Sequence, residues 1–193
     1  MKCIRKIQKK SKKHFDIFRI TIDRKKLDEI IHKDGARNWW NSEGFTKNIL
    51  PLLPSELEIL EYPPKRSENF NYFIYAFGFS QDKVFLKETG GFLYSEFVAK
   101  LLECGELEKT DNPQEGDYVV YQNLETNLDE LMRIGVLKGE KIISKWAWGP
   151  LVRHEIWDVP ASYGDDIFYI KSVSSNEMEK LYEKFKKFNA LTQ

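Results

Sequence analysis

The chain has 193 residues, with thirty Lys and Arg against thirty Asp and Glu, so its formal net charge is zero. An apolar fraction of 41%, including 14% aromatic residues, is enough for the core of one domain and excludes wholesale disorder. No apolar run approaches the roughly 20 residues of a membrane span. Two cysteines, Cys3 and Cys104, make neither a disulfide framework nor a zinc pattern, and no cofactor or metal is expected. Charge continues where the apolar part of a secretion signal would lie, so a cytoplasmic location is expected.

The basic residues are unevenly placed. Residues 1–13, "MKCIRKIQKKSKK", hold seven Lys/Arg and no acid, which leaves the remainder with a net charge of −7. Without interleaved aromatic residues this arm lacks a stacking platform for single strands, and nucleic acid is not an expected partner. "HFDIFRITI" (His14 to Ile22) alternates as a strand does, and "RKKLDEIIHK" follows as a short helix with Leu27, Ile30 and Ile31 on one face. The stretch from Ala36 to Asn69 mixes large apolar residues with Pro51, Pro54, Pro63 and Pro64, and reads as an irregular wrap in which Trp39 and Trp40 are packing anchors. Asn71 to Phe79 reads as a buried helical segment ending near Gly78. "GGFLYSEFVAKLLECGE" gives an amphipathic helix with Phe97, Val98, Leu101 and Leu102 on one face, Gly105 at its end, and Cys104 as a buried small hydrophobe. Strands are expected at 117–122, 131–137, 141–146 and 166–171, with a tight turn at Lys138-Gly139-Glu140. Ser174 and Glu177 form a capping box for a last helix with Met178, Leu181, Phe185 and Phe188 as its apolar stripe. Helices, an antiparallel sheet and a closing helix make an α+β arrangement.

"NYFIYAFGF", "GDYVVYQN" and "RIGVLKGEKIISKWAWGPLVRHEIWDVPASYGDD" resemble a bacterial branch of the NlpC-type, papain-like cysteine peptidase superfamily. Its members read Asn-Cys before an aromatic-Ala-x-Gly helix, a strand with Thr-His-x-Gly-x-Val, a return reading Ser-Lys-Trp-Gly, and a Val-Pro-x-Ser-Tyr-Gly loop. The resemblance covers about residues 68–171. It does not cover residues 1–67, which divide into the basic arm at 1–13 and an extension or cover at 14–67, and it implies a papain-like core of helices on an antiparallel sheet, with the C-terminal helix, at 68–193. The family's nucleophile falls on Tyr72, after a matching Asn71, and its general base falls on Arg133. The group that orients the base falls on Ser144 or Lys145.

Those identities decide the chemistry expected. A thiolate is stabilised by a neighbouring imidazolium, whereas a tyrosine titrates near 10 and is far bulkier. A guanidinium stays protonated and accepts no proton. The resemblance therefore implies a catalytically inactive domain that binds or regulates a partner through the former cleft. Candidate contacts there are Asn71, Tyr72, Arg133, Lys145, Trp146, Trp148 and His154. The expected partner is a protein or an acidic small molecule met by the planar fork of Arg133. The competing reading is an amide hydrolase or acyl transferase with a non-standard constellation around Tyr72, Arg133 and His154, the last oriented by Glu155 or Asp158. Counting across the turn places Arg133 opposite Lys145 or Ser144, according to a three- or two-residue loop. Of the tryptophans, Trp148 is the expected exposed contact and Trp157 is expected to be buried.

Overall fold

The computed structural model describes residues 22–32, 40–64, 68–123 and 133–192. The basic arm, the expected strand at 14–22 up to residue 21, Trp39, and the side chain of Phe188 lie outside the described residues.

Polar caps and glycine ends set the helices. Helix α1 (Arg24–His32) buries Leu27 and Ile30. The proline-rich stretch is not wholly irregular. It carries a single turn α2 (Ser42–Gly44), a π-helical turn at Phe45–Ile49, a tighter turn at Leu50–Leu52, and then strand β1 (Glu58–Glu61). Helix α3 (Tyr72–Ala76) starts where the Asn71 side chain accepts from the Ile74 N–H. Helix α4 (Lys83–Thr89) is capped by Asp82, which accepts from Val84 and Phe85, and ends at Gly90 in the left-handed region. Helix α5 (Ser95–Glu103) buries Phe97, Val98, Ala99 and Leu101. Helix α6 (Ser175–Thr192) follows Ser174, whose hydroxyl accepts from the Glu177 N–H, and seats Met178 fully in the core.

The strands are β2 (Lys109–Thr110), β3 (Tyr118–Gln122), β4 (Arg133–Lys138), β5 (Lys141–Lys145), β6 (Leu151–His154) and β7 (Asp166–Ile170). With β1 they form one antiparallel sheet in the order β1-β6-β5-β4-β3-β7-β2. The protein is thus α+β, with β1 pairing to β6 and so joining the same sheet as residues 109–170.

Both faces of the sheet are covered, because apolar residues of both parities run along its central strands. One core gathers Phe73, Phe77, Phe97, Val120, Ile134 and Met178 beneath α3, α5 and α6. The other gathers Leu27, Phe45, Ile49, Val119, Ile142 and Trp146 beneath the N-terminal segments. Burial of each such large side chain contributes roughly 1.5–3 kcal/mol. The described helices include none long and apolar enough to cross a membrane.

Three expectations are corrected by this architecture. Lys138 pairs with Lys141, Leu137 with Ile142 and Val136 with Ile143, one residue away from the register that faces Arg133 with Lys145 and two from the one that faces it with Ser144, so the ladder sets Arg133 opposite neither. The turn is two residues long, with Gly139 at φ +63° in its first position, which fixes the pairing. Cys104 is exposed, because at the C-cap of α5 it has left the apolar face of the helix. Trp157 is 39% exposed, for it stands in the turn after β6 with its ring edge against Tyr121 and the Arg24 guanidinium over it, while Trp148 is only partly exposed.

Candidate functional site

The sheet sorts the residues singled out by sequence into three separate groups. In the first, Tyr72 opens α3, which packs on β4 and β5. Its hydroxyl accepts a hydrogen bond from Arg133 Nη1 at 3.2 Å, although 61 residues separate the two. The guanidinium also lies 5.1 Å from the Tyr72 ring centroid and 5.8 Å from that of Tyr163, both of them buried rings. Burial raises the Tyr72 phenol above its ordinary value, and the charge and hydrogen bond of Arg133 offset part of that. The phenol is therefore neutral at physiological pH. Asn71 is fully buried and fully used: its amide donates to the Leu93 carbonyl at 2.7 Å while its oxygen caps α3. It is a clamp between α3 and the loop that leads into α5.

Tyr163 is held in place from the N-terminal side. Arg24 donates to the carbonyls of Val159, Pro160 and Gly164, and Asp28 accepts from the backbone and hydroxyl of Ser162. Gly164 sits at φ +99°, and a Cβ there would meet the Gln122 carbonyl oxygen at 2.1 Å. Only glycine fits that crossing.

The second group lies on the opposite face of β5. Trp146 Nε1 donates to Ser144 Oγ at 2.9 Å, and Ser144 Oγ meets His154 Nε2 at 2.7 Å. The other ring nitrogen, Nδ1, bonds the Glu155 backbone carbonyl at 2.7 Å, so it carries the proton and Nε2 accepts from the serine. It is this carbonyl, and neither the Glu155 nor the Asp158 carboxylate, that orients the ring. A serine facing a histidine in this tautomer has the form of a catalytic pair. Both residues are nevertheless buried, at 1% and 0% exposure. Burial lowers His154 to about 4, against a weaker raising by the Glu155 bond, so the ring is neutral near pH 7. The histidine is a structural member of the core.

A pH dependence follows from it. The unfolded chain protonates this ring near 6.5 and the folded one only near 4. The stability contributed by the neutral ring is complete above pH 6.5 and is lost as pH falls from there toward 4, by roughly 3 kcal/mol. Urea titrations of the wild type and of His154→Gln at pH 7 and pH 4.5 check this. The gap between the two proteins is expected to narrow at the lower pH.

The third group was split off by strand alternation. Lys145 points from β5 toward the α3 face, away from its neighbour Ser144, and is 1% exposed. Its amine donates to the Gly149 carbonyl and lies 5.0 Å from the Phe70 ring centroid. Burial lowers its pKa to about 8, with a smaller opposing effect from the charge of Glu61. The turn that supplies the Gly149 carbonyl is closed by a Gly149 N–H to Trp146 carbonyl bond of 2.8 Å and contains Ala147 at φ +51°. A left-handed alanine costs about 1 kcal/mol. The turn presents Trp148, whose ring stands 6.2 Å from that of the half-exposed Trp40. Lys145 and Trp148 line a cavity of about 860 Å³ together with Asn69 and Phe70, and neither Tyr72 nor Arg133 lines it. Asn69 and Phe70 were not anticipated from sequence. The one available sign was a lysine ending the apolar strand "KIISK" just before a tryptophan.

Among the described residues, no three His, Cys, Asp or Glu side chains gather to hold a metal ion. In comparisons with protein-family models, curated proteins and solved structures, nothing matches this chain.

Proposed function

We propose that this chain is an NlpC-type, papain-like domain without thiol chemistry, acting as a binding or regulatory protein. The observation that carries the reading is the Arg133–Tyr72 hydrogen bond of 3.2 Å at the head of α3. The two positions at which the resemblance puts nucleophile and base are in contact, and they hold a neutral phenol and a cation. Two backbone details support the same reading. Ala147 stands where the family motif has glycine, and it keeps a glycine-like left-handed backbone. Gly164, the last residue of the Val-Pro-x-Ser-Tyr-Gly motif, occupies a crossing that excludes any side chain.

Catalysis by another constellation finds no support among the described side chains. Cys104 is at the far end of α5, and His154 is buried with Ser144. Treatment with a thiol- and phenol-reactive electrophile, followed by mapping of the labelled residues, tests the reading. Tyr72 is expected to stay unmodified while the exposed Tyr62 and Tyr94 react slowly, and Cys104 reacts as an ordinary thiol. Labelling of Tyr72 ahead of Tyr94 would show an activated phenol and overturn the proposal.

A further inference from the structure

The cavity between β1, α4 and the turn after β5 holds two features that a closed protein interior ordinarily avoids. A buried ammonium is costly unless an acid pairs with it. Lys145 meets only the Gly149 carbonyl and the face of Phe70, and among the described residues no carboxylate reaches ion-pair distance of it. A buried amide left without partners is likewise costly. Both the nitrogen and the oxygen of the Asn69 side chain are buried and, among the described residues, unpartnered. Both residues line the same cavity.

Each defect specifies a complement. The ammonium calls for an anion. The amide calls for a group with one acceptor and one donor, which is what another amide presents. Asn69 as a whole is partly exposed, and a turn of its side chain would bring the amide into the space it lines. The charge of the walls limits the anion: Lys83, Lys87 and Lys145 face Glu61 and Glu68, a net charge of one. That balance suits a single carboxylate and opposes a polyphosphate. Phe70 and Trp148 supply apolar surface, and the volume lies in the range of small-molecule sites.

We infer that this cavity binds a monocarboxylate that also carries an amide, with Lys145 pairing its carboxylate and Asn69 its amide. An N-acyl amino acid has this chemistry, and so does the last residue of a peptide. The inference rests on the reading of the chain as a binding domain and names the class of ligand it takes.

Calorimetric titration of the full chain with N-acetyl-leucine and with N-acetyl-leucinamide tests it. The acid is expected to bind at least about tenfold more tightly than its amide, the scale of one charge-assisted contact. Lys145→Met, which keeps the length of the side chain, is expected to remove that preference. Asn69→Asp, nearly the same shape but charged like the ligand, is expected to weaken the acid by at least as much. Thermal melts establish that both variants are folded. A peptide ending in leucine sorts the source: tighter binding than the free acid points to a chain end, and equal or weaker binding to a small molecule. No heat with the acid at millimolar concentration, equal binding of acid and amide, or unchanged affinity in folded Lys145→Met would each overturn the inference. Failure here with Tyr72 unlabelled removes the ligand alone. A labelled Tyr72 removes the binding reading itself, whatever the acid does.

Discussion

Replacing His154 with alanine is expected to lower the unfolding free energy by about 3–4 kcal/mol. The figure combines two effects of similar sign. Removing an imidazole with no exposure leaves a void between Trp146 and β6, whose surroundings relax only in part. It also strands Ser144 Oγ–H, whose acceptor was Nε2 at 2.7 Å, and removes the Nδ1–H from the Glu155 carbonyl, which keeps its bond from the Asp158 N–H. Ser144→Ala should cost less, about 2 kcal/mol, because it removes the acceptor of the Trp146 Nε1–H bond and the donor to His154 Nε2 without a large void. The double variant should then cost less than the sum, since the two residues share one bond. Urea unfolding at pH 7 measures all three. A loss below about 1 kcal/mol for His154→Ala would mean that the ring is not a load-carrying part of the core, and would reopen the case for a chemical role.

The sequence reveals elements better than it reveals which residues meet. Strands β3, β4, β5 and β7 were legible as apolar runs closed by turn residues, and α1, α5 and α6 as apolar stripes at helical spacing. Strands β1 and β6 were not. "EILE" is four residues between prolines, and "LVRH" follows Pro150 inside a motif that reads as a loop; "LVRH" becomes a strand by pairing with β5, and "EILE" by pairing with "LVRH" in turn. Alternation also failed on β5, where four of five residues are buried. A sheet covered on both faces hides which side a residue takes, so Ser144 and Lys145 looked interchangeable although they point to opposite cores. The contact of Tyr72 with Arg133 joins residues far apart in the chain, and it was reachable only through the family resemblance. Asn69 carried no local pattern at all.

The exchange of Tyr72→Cys together with Arg133→His carries the second large effect. Tyr72 and Arg133 touch through their side-chain ends, and the two smaller replacements leave room for a thiol and an imidazole in the same place. A cysteine beside an imidazolium remains a thiolate well below the ordinary thiol range, and it is the thiolate that reacts. An unpaired thiol loses about tenfold in rate for each pH unit below its titration. Cys104, exposed and distant in the same protein, serves as the internal reference.

The measurement that bears most directly on the account is therefore the iodoacetamide alkylation rate at position 72 of that double variant at pH 6, taken relative to Cys104. A ratio of about ten or more is predicted, consistent with the thiolate fraction that an adjacent imidazolium provides. A folded double variant in which position 72 reacts no faster than Cys104 would contradict it, and with it the assignment of Tyr72 and Arg133 to the places of nucleophile and base.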